Sequence, residues 1–116
     1  MVEKGKPIRR IVEEAYSLIL ANGPWPSIAV LQAQCEQAVH VIACDGALDR
    51  ALEVDLVVNT VIGDMDSVLE RTLMRFIKQG GEVVENNDQE SNDFSKAVTY
   101  CAEKGHTRLV VFGGLG

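Results

Sequence analysis

Five short runs built round apolar residues, set apart by longer segments of helical spacing, leave this chain few folds. They are Tyr16 to Leu20, Val41 to Cys44, Leu56 to Ile62, Glu82 to Glu85 and Arg108 to Phe112. Strands that are apolar along their length, rather than at every second residue, belong to parallel sheets covered on both faces. The intervening segments fit the covering helices. Ser27 to Val39 places Ile28, Leu31, Cys35 and Ala38 on one face, and Ala47 to Leu52 fits a short helix. Ser67-Val68-Leu69-Glu70 matches a capping box. The helix it opens carries Leu69, Leu73, Phe76 and Ile77 at helical spacing and stops at Gly80-Gly81. Asn92 to Lys104 is a helix with Phe94, Ala97, Val98 and Cys101 inward, stopped by Gly105. Alternation of this kind predicts a three-layer α/β/α fold of Rossmann-like type with a parallel sheet. One domain is expected over 15–116, after a charged arm at 1–14 to which no function is assigned.

Nearly every predicted strand runs into acidic residues, Asn or Gly. Val41 to Cys44 meets Asp45-Gly46, and Leu56 to Ile62 meets Gly63-Asp64-Met65-Asp66-Ser67. Glu82 to Glu85 meets Asn86 to Asp93, and the last strand meets Gly113-Gly114-Leu115-Gly116. Ligands of open α/β sheets bind outside the carboxyl ends of the strands, so these acids converge on one rim. Clustered carboxylates repel unless a cation sits among them. Hard divalent ions such as Mg²⁺ take oxygen ligands, few from protein and the rest from water and phosphate. The expectation is a metal-dependent site for a phosphorylated ligand.

Charge supports that expectation and excludes others. The net charge of −6 argues against a nucleic-acid surface. It also opposes an anionic nucleotide unless a cation bridges the two. Cys35, Cys44 and Cys101 form no C-x-x-C pair and fit buried free thiols in a reducing compartment. No apolar stretch reaches the length of a membrane span, and no secretory signal is recognisable. The cytoplasm is the default location.

Gly63-Asp64-Met65-Asp66-Ser67 is the sharpest local signal. Gly63 permits a tight turn after the strand, and residues two apart can present both carboxylates to one ion. Ser67 at a helix start leaves N–H groups for a phosphate or for its own cap. An acidic turn with a helix cap would have the same sequence. The second acidic block, 87–97, shifts the balance. There Asp93 and Lys96 lie three apart on one helix face, one suited to metal or substrate and the other to phosphate. An ordinary surface ion pair would look alike. Asp45-Gly46 also fits a simple turn, while Gly113 and Gly114 can let backbone approach a phosphate. Neither the G-x-x-x-x-G-K-[ST] loop nor G-x-G-x-x-G is present. His40 and His106 are isolated in sequence and read as surface or loop residues.

Taken in order, these elements resemble the thiamine pyrophosphokinase family. The matching pieces are Asn22-Gly23 after the first strand, Asp45-Gly46-Ala47, Gly63-Asp64-Met65-Asp66-Ser67, Asp88-Gln89-Glu90-Ser91-Asn92-Asp93-Phe94-Ser95-Lys96-Ala97, and Gly113-Gly114-Leu115-Gly116. The resemblance spans roughly 18–116. Single pieces are weak, and their order and spacing make the combination specific. It implies Mg²⁺-dependent transfer of pyrophosphate from ATP to thiamine, giving thiamine diphosphate and AMP. It implies metal ligands at Asp64, Asp66 and Asp93, with Asp45 and Asp88 in the same cleft. Gln89 and Ser91 would touch ATP or the metal shell, and Lys96 would reach phosphate. Asn22, Gly23, Gly46, Ser67, Gly113 and Gly114 would line the nucleotide side. The family pairs this domain with a C-terminal β-domain and forms its sites at a homodimer interface.

Departures exist. Ala47 stands where the family has a second glycine, and Ser91 where Thr is common. The family's Arg-x-Asp-His segment is not among these residues. The chain is therefore read as a fragment of a longer protein, not expected to turn over thiamine alone. Three rival readings stand beside this one. A pterin pyrophosphokinase has related architecture. A haloacid-dehalogenase-type phosphatase would use Asp64-Met65-Asp66-Ser67-Val68 as its D-x-D-x-[T/V] nucleophile, although that motif normally follows the first strand. A nucleotide-binding module without turnover is the third.

Overall fold

A computed structural model describes residues 15–88 and 91–114. The arm at 1–14, Gln89, Glu90, Leu115 and Gly116 lie outside the described residues. The elements run β1 (Ser17–Leu20), α1 (Ile28–Gln37), β2 (His40–Cys44), α2 (Asp45–Glu53), β3 (Thr60–Gly63), α3 (Glu70–Lys78), β4 (Glu82–Glu85), α4 (Asp93–Glu103) and β5 (Leu109–Phe112). All strand pairs are parallel, in the order β4-β3-β2-β1-β5. The three-layer α/β fold expected from the alternation is the fold observed.

Alternate strand residues feed two cores. Leu18, Leu20, Val41, Ala43 and Val61 pack on α1, α2 and α3 through Leu31, Leu48, Ala51 and Phe76. Ile19, Ile42, Cys44 and Ile62 pack on α4 through Ala97, Tyr100 and Cys101. The split follows from chirality. From β1 to β4 the chain steps in one direction across the sheet, then reverses to place β5 beside β1. A right-handed crossover after a reversal must lie on the opposite face, so α4 stands alone there. The reversal creates a switch point between β1 and β5, where open sheets hold their ligands.

Several boundaries move from those read in sequence. The third strand begins at Thr60, not Leu56, because residues 56–59 return from α2. Leu56 donates to Ala51 O at 3.0 Å, and the Asn59 side chain accepts from Val41 N at 2.7 Å. Asp45 and Gly46 are no turn and form the start of α2. Ser67 is exposed and does not cap α3. The N-cap is Leu69, whose N–H goes to Asp49 Oδ2 of α2 at 3.2 Å. The capping box was thus matched in sequence and displaced by a tertiary acceptor. Ile28 of α1 and Leu69 and Ile77 of α3 are about half exposed. α2 takes the middle of that face, against β2 and β3, and leaves its neighbours the margins.

The two histidines are also corrected, for they meet. Ser17, His40, Thr60 and Glu82, the first residues of four strands, line the lower edge of the sheet. Ser17 Oγ pairs with His106 Nδ1 at 2.7 Å, and His40 Nε2 with Thr60 Oγ1 at 2.8 Å. Thr60 and Tyr100 hydroxyls both donate to Glu82 Oε1, at 2.9 and 2.7 Å. Burial, then the neighbouring His106, holds His40 below its ordinary pKa. The row closes the end of the sheet away from the acids.

Candidate active site at the carboxyl ends of the strands

Asp45 is the centre of the upper rim. It follows β2 directly, is the first residue of α2, and is 1% exposed. A carboxyl at a helix N-terminus is favoured by the helix dipole, yet here it is removed from water. Its Oδ2 accepts the Met65 N–H at 2.8 Å, and its Oδ1 has no hydrogen-bond partner among the described residues. Burial, then the Asp93 and Asp64 carboxyls beside it, pushes Asp45 up to about 7, against the pull of the Met65 N–H. Such an orphaned, buried oxygen is costly unless something binds it.

The β3–α3 turn brings Asp64 to Asp45. Gly63 has φ +146°, and a Cβ there would lie 2.7 Å from Asp45 Cγ. Met65 adopts φ +67°, a left-handed conformation that non-glycine residues resist, and its N–H is the one given to Asp45. Asp64 Oδ1 accepts from Asp66 N at 3.0 Å. That bond first, then Asp45 and the charge of Lys96, holds Asp64 below the usual carboxylate range. Adjacent carboxyls with pKa values driven apart divide their labour, one carrying a proton and the other a charge. Gly63→Ala is expected to cost on the order of 2 kcal/mol, with loss of whatever binds Asp45. A variant melting with the wild type would show that the Asp45 carboxyl has room to move.

α4 delivers the remaining groups. Asn92 caps it, its side chain accepting from Ser95 N at 2.7 Å. Asp93 heads the first turn, and Lys96 stands one turn on, 3.6 Å from Asp93 Oδ1. Lys96 is only 4% exposed and donates to Asn86 O, just beyond β4, at 2.7 Å. The surface-pair reading of Asp93 and Lys96 is thereby overturned, since a buried ammonium among acids is held for its charge. Asp88 and Ser91 are joined by a 3.1 Å bond from Ser91 Oγ to Asp88 Oδ2, on the outer part of the rim. Asp66 and Ser67 are exposed, and Asp66 enters the site through its backbone N–H.

At the switch point lies a cleft of about 350 Å³ lined by Asn22, Gly23, Cys44, Asp93, Phe94 and Gly113, among others. Asn22, Gly23, Gly113 and Gly114 line this one cleft together. Gly46 sits beside Asn22, with a Cβ at Gly46 falling 2.8 Å from Asn22 Oδ1. The Cys44 thiol, pushed up to about 12 by burial and by Asp93 and Asp45, is no nucleophile at neutral pH. Sequence reading missed Asn86, Cys44, Asn92 and Phe94. Cys44 ends β2 and Asn86 follows β4, so convergence of separate strands places them, while Asn92 and Phe94 flank Asp93 at the start of α4 within the second acidic block. Among the described residues, no three His, Cys, Asp or Glu side chains are arranged as a ready-made metal cage. No described helix is long and apolar enough to cross a membrane.

Residues 31–116 match the family model described as the thiamin pyrophosphokinase catalytic domain. Among curated proteins no significant match is found. Solved structures show the same fold. Yeast thiamin pyrophosphokinase superposes with a TM-score of 0.67 at 21% identity, over 82% of this chain and 34% of the other. A thiamin pyrophosphokinase family protein from Enterococcus faecalis gives 0.66 at 19%, over 85% and 46%. The thiamin pyrophosphokinase from Geobacillus thermodenitrificans gives 0.66 at 18%, over 87% and 47%. The chain thus spans less than half the length of these structures. The match to the family model covers most of the sequence, and the chain belongs to the thiamin pyrophosphokinase catalytic-domain family.

Proposed function

We propose that this domain binds Mg-ATP and transfers pyrophosphate to the thiamine hydroxyl, yielding thiamine diphosphate and AMP. The observation that carries the reading is Asp45, buried with one oxygen unpartnered among the described residues and flanked by Asp64 and Asp93. The donor set fits Mg²⁺, which uses one or two carboxylates and completes its shell with water and phosphate. That preference also accounts for the lack of a three-residue cage. Asp64 and Asp93 would hold the ion, with Asp66 supporting Asp64 through its backbone N–H; when bound, the ion neutralises phosphate charge and polarises the phosphorus centre.

The residues then act by position and charge. Lys96, 3.6 Å from Asp93 Oδ1, adds a cation next to the polyphosphate. Asn22, Gly23, Gly113 and Gly114 shape the wall on which the nucleotide lies, and Asp88 and Ser91 belong to the outer rim on the same side; the family resemblance adds Gln89 to the contacts with ATP. Asp45, with a pKa near neutrality, accepts the proton of the thiamine hydroxyl. The hydroxyl oxygen bonds to the β-phosphorus, the bond to the α–β bridging oxygen breaks, and AMP leaves. A homodimer that closes the thiamine pocket, in the cytoplasm, belongs to the same proposal.

Mass spectrometry of the products that the full-length protein forms from ATP, thiamine and Mg²⁺ tests it. AMP and thiamine diphosphate in equal amounts are expected. A pyrophosphorylated pterin formed in preference would move the acceptor. Free phosphate with an aspartyl adduct at Asp64 would replace the kinase reading by a phosphatase one.

A further inference from the structure

Arg50 takes no part in the acid rim, yet it bonds three residues of the cleft wall. It lies on α2, half-buried, one helical turn beyond Gly46. Its Nη2 donates to three successive carbonyls of the β1–α1 loop: Ala21 O at 3.1 Å, Asn22 O at 3.1 Å and Gly23 O at 3.0 Å. The guanidinium lies over Trp25, 3.7 Å from the ring centroid. Trp25 Nε1 in turn donates to Ala21 O at 2.8 Å. From the other side β5 holds the loop through Ala21 N to Phe112 O at 2.8 Å and Gly23 N to Gly113 O at 2.9 Å. Gly113 is required there, since a Cβ would fall 2.6 Å from Ala21 O.

We infer that Arg50 is a positioning residue for polyphosphate binding, acting through the 21–23 loop. The inference rests on the nucleotide reading given above and adds to it a residue outside the acid rim. The electrostatics are direct. A chain of net charge −6 has to present an anion with a wall free of further negative ends. Carbonyl oxygens are such negative ends, and three of them stand beside the cleft. Arg50, which like Trp25 is not among the residues lining the cleft, bonds all three. The planar guanidinium does this while stacked on Trp25; an ammonium, being a compact, strongly hydrated point charge, has no plane with which to do both. Releasing the carbonyls would let at least one turn into the cleft against the phosphates, and would return to the loop the freedom that binding must then remove.

Trp25 is the only tryptophan of the chain, so its fluorescence reports the clamp directly. Mg-ATP is titrated into wild type, Arg50→Gln, Arg50→Lys and Trp25→Phe, with affinity read by calorimetry and the melting temperature recorded for each. For the three tryptophan-containing proteins, fluorescence is read as well. Wild type is expected to bind with a change in Trp25 emission. Arg50→Gln is expected to bind about tenfold more weakly or worse, the order lost with charge-assisted hydrogen bonds and a cation–π contact. Arg50→Lys should recover part of that loss and Trp25→Phe should fall between. If Arg50→Gln does not fold, the ratios for Arg50→Lys and Trp25→Phe carry the test. A lowered melting temperature with unchanged affinity in the folded variants would make Arg50 structural only and overturn the inference. Failure of wild type itself to bind Mg-ATP would overturn the nucleotide reading, and this inference with it.

Discussion

In the full-length enzyme, Asp64→Asn is expected to lower kcat by about a hundredfold or more while leaving the melting temperature of the free protein nearly unchanged. Asp64 is joined to the fold by the turn around it and not by its own burial. Gly63 and Met65 hold the backbone, Asp66 N satisfies one carboxylate oxygen, and Asp45 lies beside the group. An amide keeps the size and can still accept from Asp66, so the turn survives. What is removed is the charge that the site holds on Asp64 by pulling its pKa down. Asp66→Asn is expected to cost less, because the Asp66 side chain is exposed and its backbone does the structural work. Parallel kcat and melting measurements on both variants check the order. Equal, small losses would place the metal on the Asp88 side of the rim.

A second large effect concerns Asp45 and reverses with pH. Its folded pKa, about 7, lies above the 3.8 of a free aspartate. The folded state therefore binds more protons than the unfolded chain between those values, and stability falls as pH rises through that window. The contribution is complete below about pH 4 and is lost by about pH 7. At pH 8 the fold carries a buried anion beside Asp64 and Asp93, a penalty on the order of 2 kcal/mol after screening by the water that reaches those neighbours. Asp45→Asn keeps the acceptor for Met65 N–H and offers an NH₂ to the adjacent carboxylates. It should melt about 5 °C or more above wild type at pH 8 without ligand, and show a flatter dependence between pH 4 and 7. It should also gain less from Mg-ATP, because linkage follows affinity for the folded state. Melting curves of both proteins at pH 5 and pH 8, with and without Mg-ATP, decide it. A variant that melts lower than wild type at pH 8 and gains as much from Mg-ATP would show Asp45 to be a turn former.

These expectations show how the site was divided between what a sequence can reveal and what it cannot. Asp45, Asp64 and Asp93 each follow an apolar run or open a helix, so their arrival on one rim follows from strand direction alone. The class of fold was legible for the same reason: apolar strands alternating with helical segments admit only a parallel sheet with helices on both faces. Asn22, Gly23, Gly113 and Gly114 are turn formers after strands, and turn chemistry is local. The family, too, could be recognised from the order of these short blocks.

Tertiary structure decided the rest, because it concerned residues whose roles depend on distant partners. Ser67 had the pattern of a cap, but Asp49 of α2 was close enough to take the Leu69 N–H, and the helix began later. Lys96 looked like a solvated lysine until α4 packed on the sheet and left its side chain 4% exposed, with Asn86 O to bond. His40 and His106, 66 positions apart, meet with ring centroids 5.2 Å apart because β2 and the end of α4 share the lower edge of the sheet. Arg50 offered no motif at all. Its meaning lies in three carbonyls some 27–29 residues away, brought beneath it by the packing of α2 against the sheet. Periodicity and turn chemistry are written within a few residues of each other, so the sequence alone determines strands, helices and the rim they share. Burial, and with it the pKa of Asp45 and the charge held at Lys96, is a property of the whole packed chain.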